Sequence, residues 1–164
     1  MNIRIMKFLV SIVFILYLFV LCLLLFFDIY FVGRPNRSYM SLIEYVQLGT
    51  INLIPFQTLK FYFMGGHLNQ HTMIIQLVGN FVLFMPFSLF LPILFAKCRD
   101  IKFFIKLLLL INVAVEIMQV LLRVGSFDID TIILNSGGSI LVYILFIKWG
   151  PKLCKNLNLQ HKDK

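Results

Sequence analysis

Phe8 to Phe27 is a run of 20 residues broken only by Ser11. At 1.5 Å of rise per residue, a helix of that length crosses about 30 Å of hydrocarbon. A helix in a soluble protein needs a polar face, and this one has none. Three further stretches, at about residues 72–96, 103–122 and 129–149, are nearly as apolar. The chain is therefore expected to be an all-α integral membrane protein, a bundle of four transmembrane helices forming a single membrane domain over 1–164. Composition agrees: 60 % apolar residues, 18 Phe and only 13 % charged residues exclude an ordinary soluble enzyme. The net charge of +8 does not point to nucleic acid, because the basic residues flank apolar runs and form no stripe. Arg4 and Lys7 resemble the charged start of a signal peptide, but the apolar run is too long and no small-residue cleavage site follows. It is read as an uncleaved first span. Cys22, Cys98 and Cys154 lack metal-binding or paired spacing, so free thiols are expected and no metal or cofactor is.

The mixed segment 28–71 is expected to be a long extracellular loop between the first two helices. Gly33-Arg34-Pro35-Asn36 reads as a turn, and Ser41-Leu42-Ile43-Glu44 has the pattern of a capping box on a short interfacial helix. Pro55 opposes helix at Ile54, while Phe56, Phe61, Tyr62 and Phe63 fit an interfacial belt. Asn36-Arg37-Ser38 matches the glycosylation sequon, a pattern too common to carry weight, and Gly65-Gly66, His67 and His71 read as polar loop rather than ligands. A kink is expected near Pro86. With the N-terminus inside, eleven Lys and Arg lie on the inner side and four (Arg34, Arg37, Lys60 and Arg123) on the outer. The positive-inside rule then places both termini in the cytoplasm.

The third and fourth spans and their connector hold the residues that a bilayer tolerates least. On a helix, Asn112, Glu116, Gln119 and Arg123 fall on one face, as do Thr131, Asn135 and Ser139, and as do Gln76 and Asn80 on the second span. Glu116 lies roughly 10 Å from the outer end of its helix. A carboxylate near mid-membrane costs on the order of 3 kcal/mol, so Glu116 should face the bundle or a hydrated cleft. The bland alternatives are amides acting as interhelical glue, Glu116 paired with Arg123 or hydrogen-bonded to an amide, and Asp128 or Asp130 as a helix N-cap.

Asn52-x-x-Pro55-Phe56, Asn80-x-x-x-Phe84-x-Pro86-Phe87, Glu116-x-x-Gln119, Gly125-Ser126-Phe127-Asp128-Ile129-Asp130 and Asn135-x-x-Gly138 stand in this order over about 50–148. The series resembles the motifs of the VanZ-like family of small bacterial membrane proteins. Thr131 stands where members commonly carry Asp, with Asp130 adjacent, and Ser88 where many carry Gly. The resemblance implies the cell membrane of a Gram-positive-type bacterium and a link to resistance against teicoplanin, a glycopeptide antibiotic. It supports Asn52, Pro55, Asn80, Glu116, Gln119, Asp128 and Asn135 as binding residues. One reading is a non-catalytic envelope factor whose outer-leaflet cleft binds a lipid or lipid-linked cell-wall component. The other is a membrane-embedded enzyme on such a substrate, with Glu116 or Asp128 as general base, although no established nucleophile or metal motif is present. A channel or transporter subunit is weaker, four spans being few. Expected partners are the bilayer, a lipid-linked component and a second copy in a homo-oligomer.

Overall fold

A computed structural model describes residues 3–27, 40–64 and 70–156. The turn at Gly33–Asn36, the sequon, Gly65-Gly66, His67, Lys162 and Lys164 lie outside them. The described chain is mostly helical, with four helical segments long and apolar enough to cross a membrane. The first is α1 (Ile3–Phe26). A short helix α2 (Leu42–Gln47), strand β1 (Ile51–Asn52) and helix α3 (Gln57–Met64) follow. The second span is divided into α4 (Gln70–Leu83) and α5 (Phe87–Leu94). A 3-10 turn at Ala96–Arg99 leads to α6 (Ile101–Leu121), then strand β2 (Phe127–Asp128) and α7 (Ile129–Asn156).

The expected kink at Pro86 is a full break over 84–86. Proline cannot donate to the helical ladder, so carbonyls ahead of it lose their usual partners. The backbone re-forms tighter bonds, Phe87 N–H to Phe84 O and Ser88 N–H to Met85 O. The carbonyl of Leu83 receives the Tyr17 hydroxyl at 2.7 Å, so a residue of α1 satisfies what the break in the second span exposes.

The segment between the first two spans is not featureless where it is described. Ser41 caps α2 reciprocally with Glu44, as its sequence predicts, and the two hydrogen bonds from Ser41 hold the Glu44 carboxyl below its usual range. Strand β1 pairs in parallel with β2, Ile51 opposite Phe127 and Asn52 opposite Asp128, a strand contact that the all-α reading did not include. Sequence periodicity has little purchase on a pairing of two residues separated by more than 70 positions. Its consequence is to fix the loop onto the connector between α6 and α7.

Helix α7 packs against α4, α5 and α6. At Gly138 the approach is so close that a Cβ would stand 1.9 Å from the carbonyl oxygen of Phe81, so only glycine fits. Lower in the bundle, Phe84, Phe87, Phe104, Leu108 and Tyr143 form a buried cluster. Phe104 and Tyr143 stack at 4.2 Å between centroids, and the Tyr143 hydroxyl donates to Arg99 O at 2.7 Å. Ser88, where a glycine is common in the resembling family, is fully buried and its hydroxyl donates to the carbonyl of Ser139, tying α5 to α7. Phe14 and Tyr17 bring α1 onto this cluster by ring contacts with Phe87 and Phe90.

Candidate functional site

At the other end of the bundle the polar residues converge, and Asp130 shows how. It lies in the first turn of α7 and is 1 % exposed. Its Oδ1 accepts the N–H of Phe56, and its Oδ2 accepts those of Thr58 and Leu59 at 2.9 and 3.2 Å. These are the free amides at the start of α3, where a helix presents unsatisfied donors and the positive end of its dipole. Asp130 thus caps a helix from more than 70 residues away. Phe56 turns into that geometry with φ of 66°, a left-handed conformation uncommon for a side chain of its size. Pro55 stands in the same turn and is exposed, so it shapes the approach without lining the site.

Asp128 caps α7 itself, its Oδ1 accepting Asp130 N–H at 2.9 Å. The same oxygen accepts Asn52 Nδ2 at 3.2 Å, and its Oδ2 accepts the Thr58 hydroxyl at 2.6 Å. Asn52 also donates to Thr58 Oγ1 at 2.8 Å, while its own Oδ1 receives Ile54 N–H at 3.2 Å. Glu116, 2 % exposed, reaches from α6 and accepts the backbone N–H of Asp128 at 3.0 Å. Asp128 is therefore both the N-cap of α7 and a residue bordering the cavity at this end of the bundle. Glu116 is anchored to the connector rather than to Arg123, whose Nε is buried with no partner. Arg123 itself takes a left-handed conformation, φ 59°, just beyond α6.

Thr58, Glu116, Asp128 and Asp130 border a cavity of about 180 Å³ where α1, α3, α4, α6, the connector and α7 meet, whereas Asn52 bonds to two of them without lining it. Asn80, Glu116, Gln119, Asp128 and Asn135 line it together. Gln119 donates to the carbonyl of Leu25 at 3.0 Å, closing the end of α1 against α6, and Gly125 lies against the Gln119 side chain where a Cβ would be tight, at 3.1 Å. Asn80 donates to Thr131 Oγ1 at 3.4 Å. Asn135 is 2 % exposed and its Oδ1 has no partner. The walls between these polar groups are apolar, from Leu24, Leu25, Leu59, Leu77, Leu83 and Leu134.

The polar stripe on α6 divides. Glu116 and Gln119 reach the cavity, whereas Asn112 is buried below it, donating to Leu108 O at 3.0 Å with its Oδ1 unpartnered. Ser139 similarly bonds back to Asn135 O at 2.9 Å. The lining residues Thr58 and Leu59 were not singled out from sequence, and Tyr62, whose hydroxyl donates to Gln76, was read only as part of an interfacial belt. All belong to α3, in the segment read as loop, and no local pattern marks them. Among the described residues no three His, Cys, Asp or Glu side chains come together as a metal-holding group.

The chain matches the VanZ/LLP1 family over residues 14–151. No curated protein and no solved structure matches it.

Proposed function

The chain belongs to the VanZ/LLP1 family, and from that premise we propose that it is an envelope factor whose cleft, facing the outer leaflet, binds a polar group of a lipid or lipid-linked cell-wall component. Binding of this component lowers the access of teicoplanin-type antibiotics to their target. The observation that carries the reading is the state of the carboxylates. Asp128 and Asp130 each use both oxygens as acceptors for α3, α7 and Asn52, so they build the cavity and are not free to act as bases. A general base must be able to reach a substrate proton. The lining instead offers a small, rigid polar recess with apolar walls, which suits recognition.

With membrane abundance held equal, Glu116→Ala and Asn135→Ala should each abolish protection in a teicoplanin sensitivity assay. Full protection in both variants would rule out the cleft. One observation favours the enzyme as a second reading: Glu116 lines the cavity and spends one oxygen on Asp128 N–H. Comparing the lipids of expressing and deleted cells by mass spectrometry separates the two, since a binding factor leaves no new lipid species and an enzyme must.

A further inference from the structure

The charge of the cavity defines what it can hold. Three of its lining residues are acids, Glu116, Asp128 and Asp130, and none is Lys, Arg or His. Four of its side-chain donors are engaged within the protein: Thr58 by Asp128, Asn80 by Thr131, Gln119 by the carbonyl of Leu25, and Tyr62 by Gln76. Among the described lining side chains, the atom that is buried without a partner is an acceptor, the Oδ1 of Asn135. A buried acceptor is costly until a donor reaches it, and a buried carboxylate is costly until a positive charge does. A phosphate would require the opposite lining, guanidinium or ammonium groups or a ring of N–H donors.

We infer that the cavity takes a primary ammonium group, carried by an amine-bearing lipid headgroup or by a soluble amine, with Glu116 as its counter-charge and Asn135 Oδ1 as a second acceptor. The inference rests on the binding reading above and names its ligand class. Size agrees, because about 180 Å³ is below the roughly 300–1,000 Å³ of pockets that enclose drug-sized ligands, and suits a headgroup of a few heavy atoms. The leucine walls strengthen the pairing, since attraction between opposite charges grows as water is excluded. An ammonium donates three hydrogen bonds, whereas a trimethylammonium donates none, so the site separates the two.

The test uses the full chain in two arms. In the first, the protein is reconstituted in vesicles of equal parts phosphatidylethanolamine, phosphatidylcholine and phosphatidylglycerol, and the lipid it retains on extraction is identified by native mass spectrometry. In the second, detergent-solubilised protein is titrated with ethanolamine, methylammonium or inorganic phosphate while thermal unfolding is followed. A lipid source gives retention of phosphatidylethanolamine about tenfold over phosphatidylglycerol. A soluble source gives stabilisation by the small amines with no preference among lipids. In either case Glu116→Gln removes the effect, Lys148→Gln on the exposed surface of α7 keeps it, and Asn135→Asp, which adds a charge in the cavity, increases it. Preference for phosphatidylcholine or phosphatidylglycerol, or stabilisation by phosphate alone, overturns the inference. If the retained lipid is of the wrong class yet is released by Asn135→Ala, the ammonium is refuted while the binding cleft stands. No retained lipid and no amine effect removes both.

Discussion

Helices α1 and α7 are both long enough to cross a bilayer, yet only 6 % of the apolar stretch of the first is buried within the protein, against 39 % of that of the last. The apolar α1 faces outward along most of its length, and α7, with Asp130, Thr131, Asn135 and Ser139, is the helix against which α3, α4, α5 and α6 pack. The order is the reverse of a soluble protein's, in which the most apolar helix is innermost. Lipid is as good a solvent for leucine as the protein interior is, so apolar character does not drive α1 inward, while the polar groups of α7 are costly in lipid and are turned into the bundle. Polar residues gather at one end of the bundle's interior, and the aromatic cluster around Phe84 and Phe104 fills the other.

The contrast breaks most completely at the contact between α7 and α4. Replacing Gly138 with Val puts a side chain where the carbonyl oxygen of Phe81 already stands, backbone that cannot rotate away. The two helices must separate, at a cost of about 3 kcal/mol or more. The expected result is loss of folded protein after detergent extraction, scored by size-exclusion profile and thermal unfolding. A variant with wild-type behaviour would show that α7 is not held as closely as its central role requires.

The next effect tests the link from α7 to the segment before the second span. Asp130→Ala leaves the amides of Phe56, Thr58 and Leu59 without their acceptor. Destabilisation of about 2 kcal/mol is expected, concentrated in α3 rather than in the bundle. Hydrogen exchange should therefore speed up at these three amides while that of the α6 backbone changes little. Uniform acceleration along the chain would mean that Asp130 supports the whole fold and not this one attachment.

How much of this was legible in the sequence follows from the same physics. The four spans could be read because hydropathy acts over some 20 consecutive residues. Glu116, Gln119 and Asn135 could be read because a polar group inside such a span is expensive and helical phase shows which ones share a face. The division of the second span was half legible: Pro86 forecasts a disturbance, but Tyr17 on α1, whose hydroxyl donates to the exposed Leu83 carbonyl, leaves no mark of that role. The attachment of α3 was not legible at all. Asp130 looks like an N-cap of its own helix, its real partners are more than 70 residues earlier, and the Thr58 and Tyr62 that complete the cavity belong to a segment without clear periodicity. Nor does the pattern on α6 tell that Asn112 ends below the cavity and Glu116 within it.

On α1 the effects should be small, and unequal in an informative way. Tyr17→Phe keeps the ring contacts with Phe87 and Phe90 and removes only the hydroxyl bond to Leu83, for an expected loss of about 1 kcal/mol. Ile15, two residues earlier, is 63 % exposed and belongs to the outward side of the helix. In water, trimming a buried isoleucine to alanine costs about 2 to 5 kcal/mol because the methyl groups leave an apolar interior and a cavity stays behind. Here lipid chains fill the vacated space and the transfer term vanishes, so Ile15→Ala should change stability by less than about 0.5 kcal/mol in vesicles. The pair separates two accounts of how α1 is retained. If the Tyr17 hydroxyl and the aromatic contacts hold it, Tyr17→Phe will outweigh Ile15→Ala in unfolding measurements. If Ile15→Ala proves the costlier of the two, the outward surface of α1 packs against protein, and a second copy of the chain must cover it.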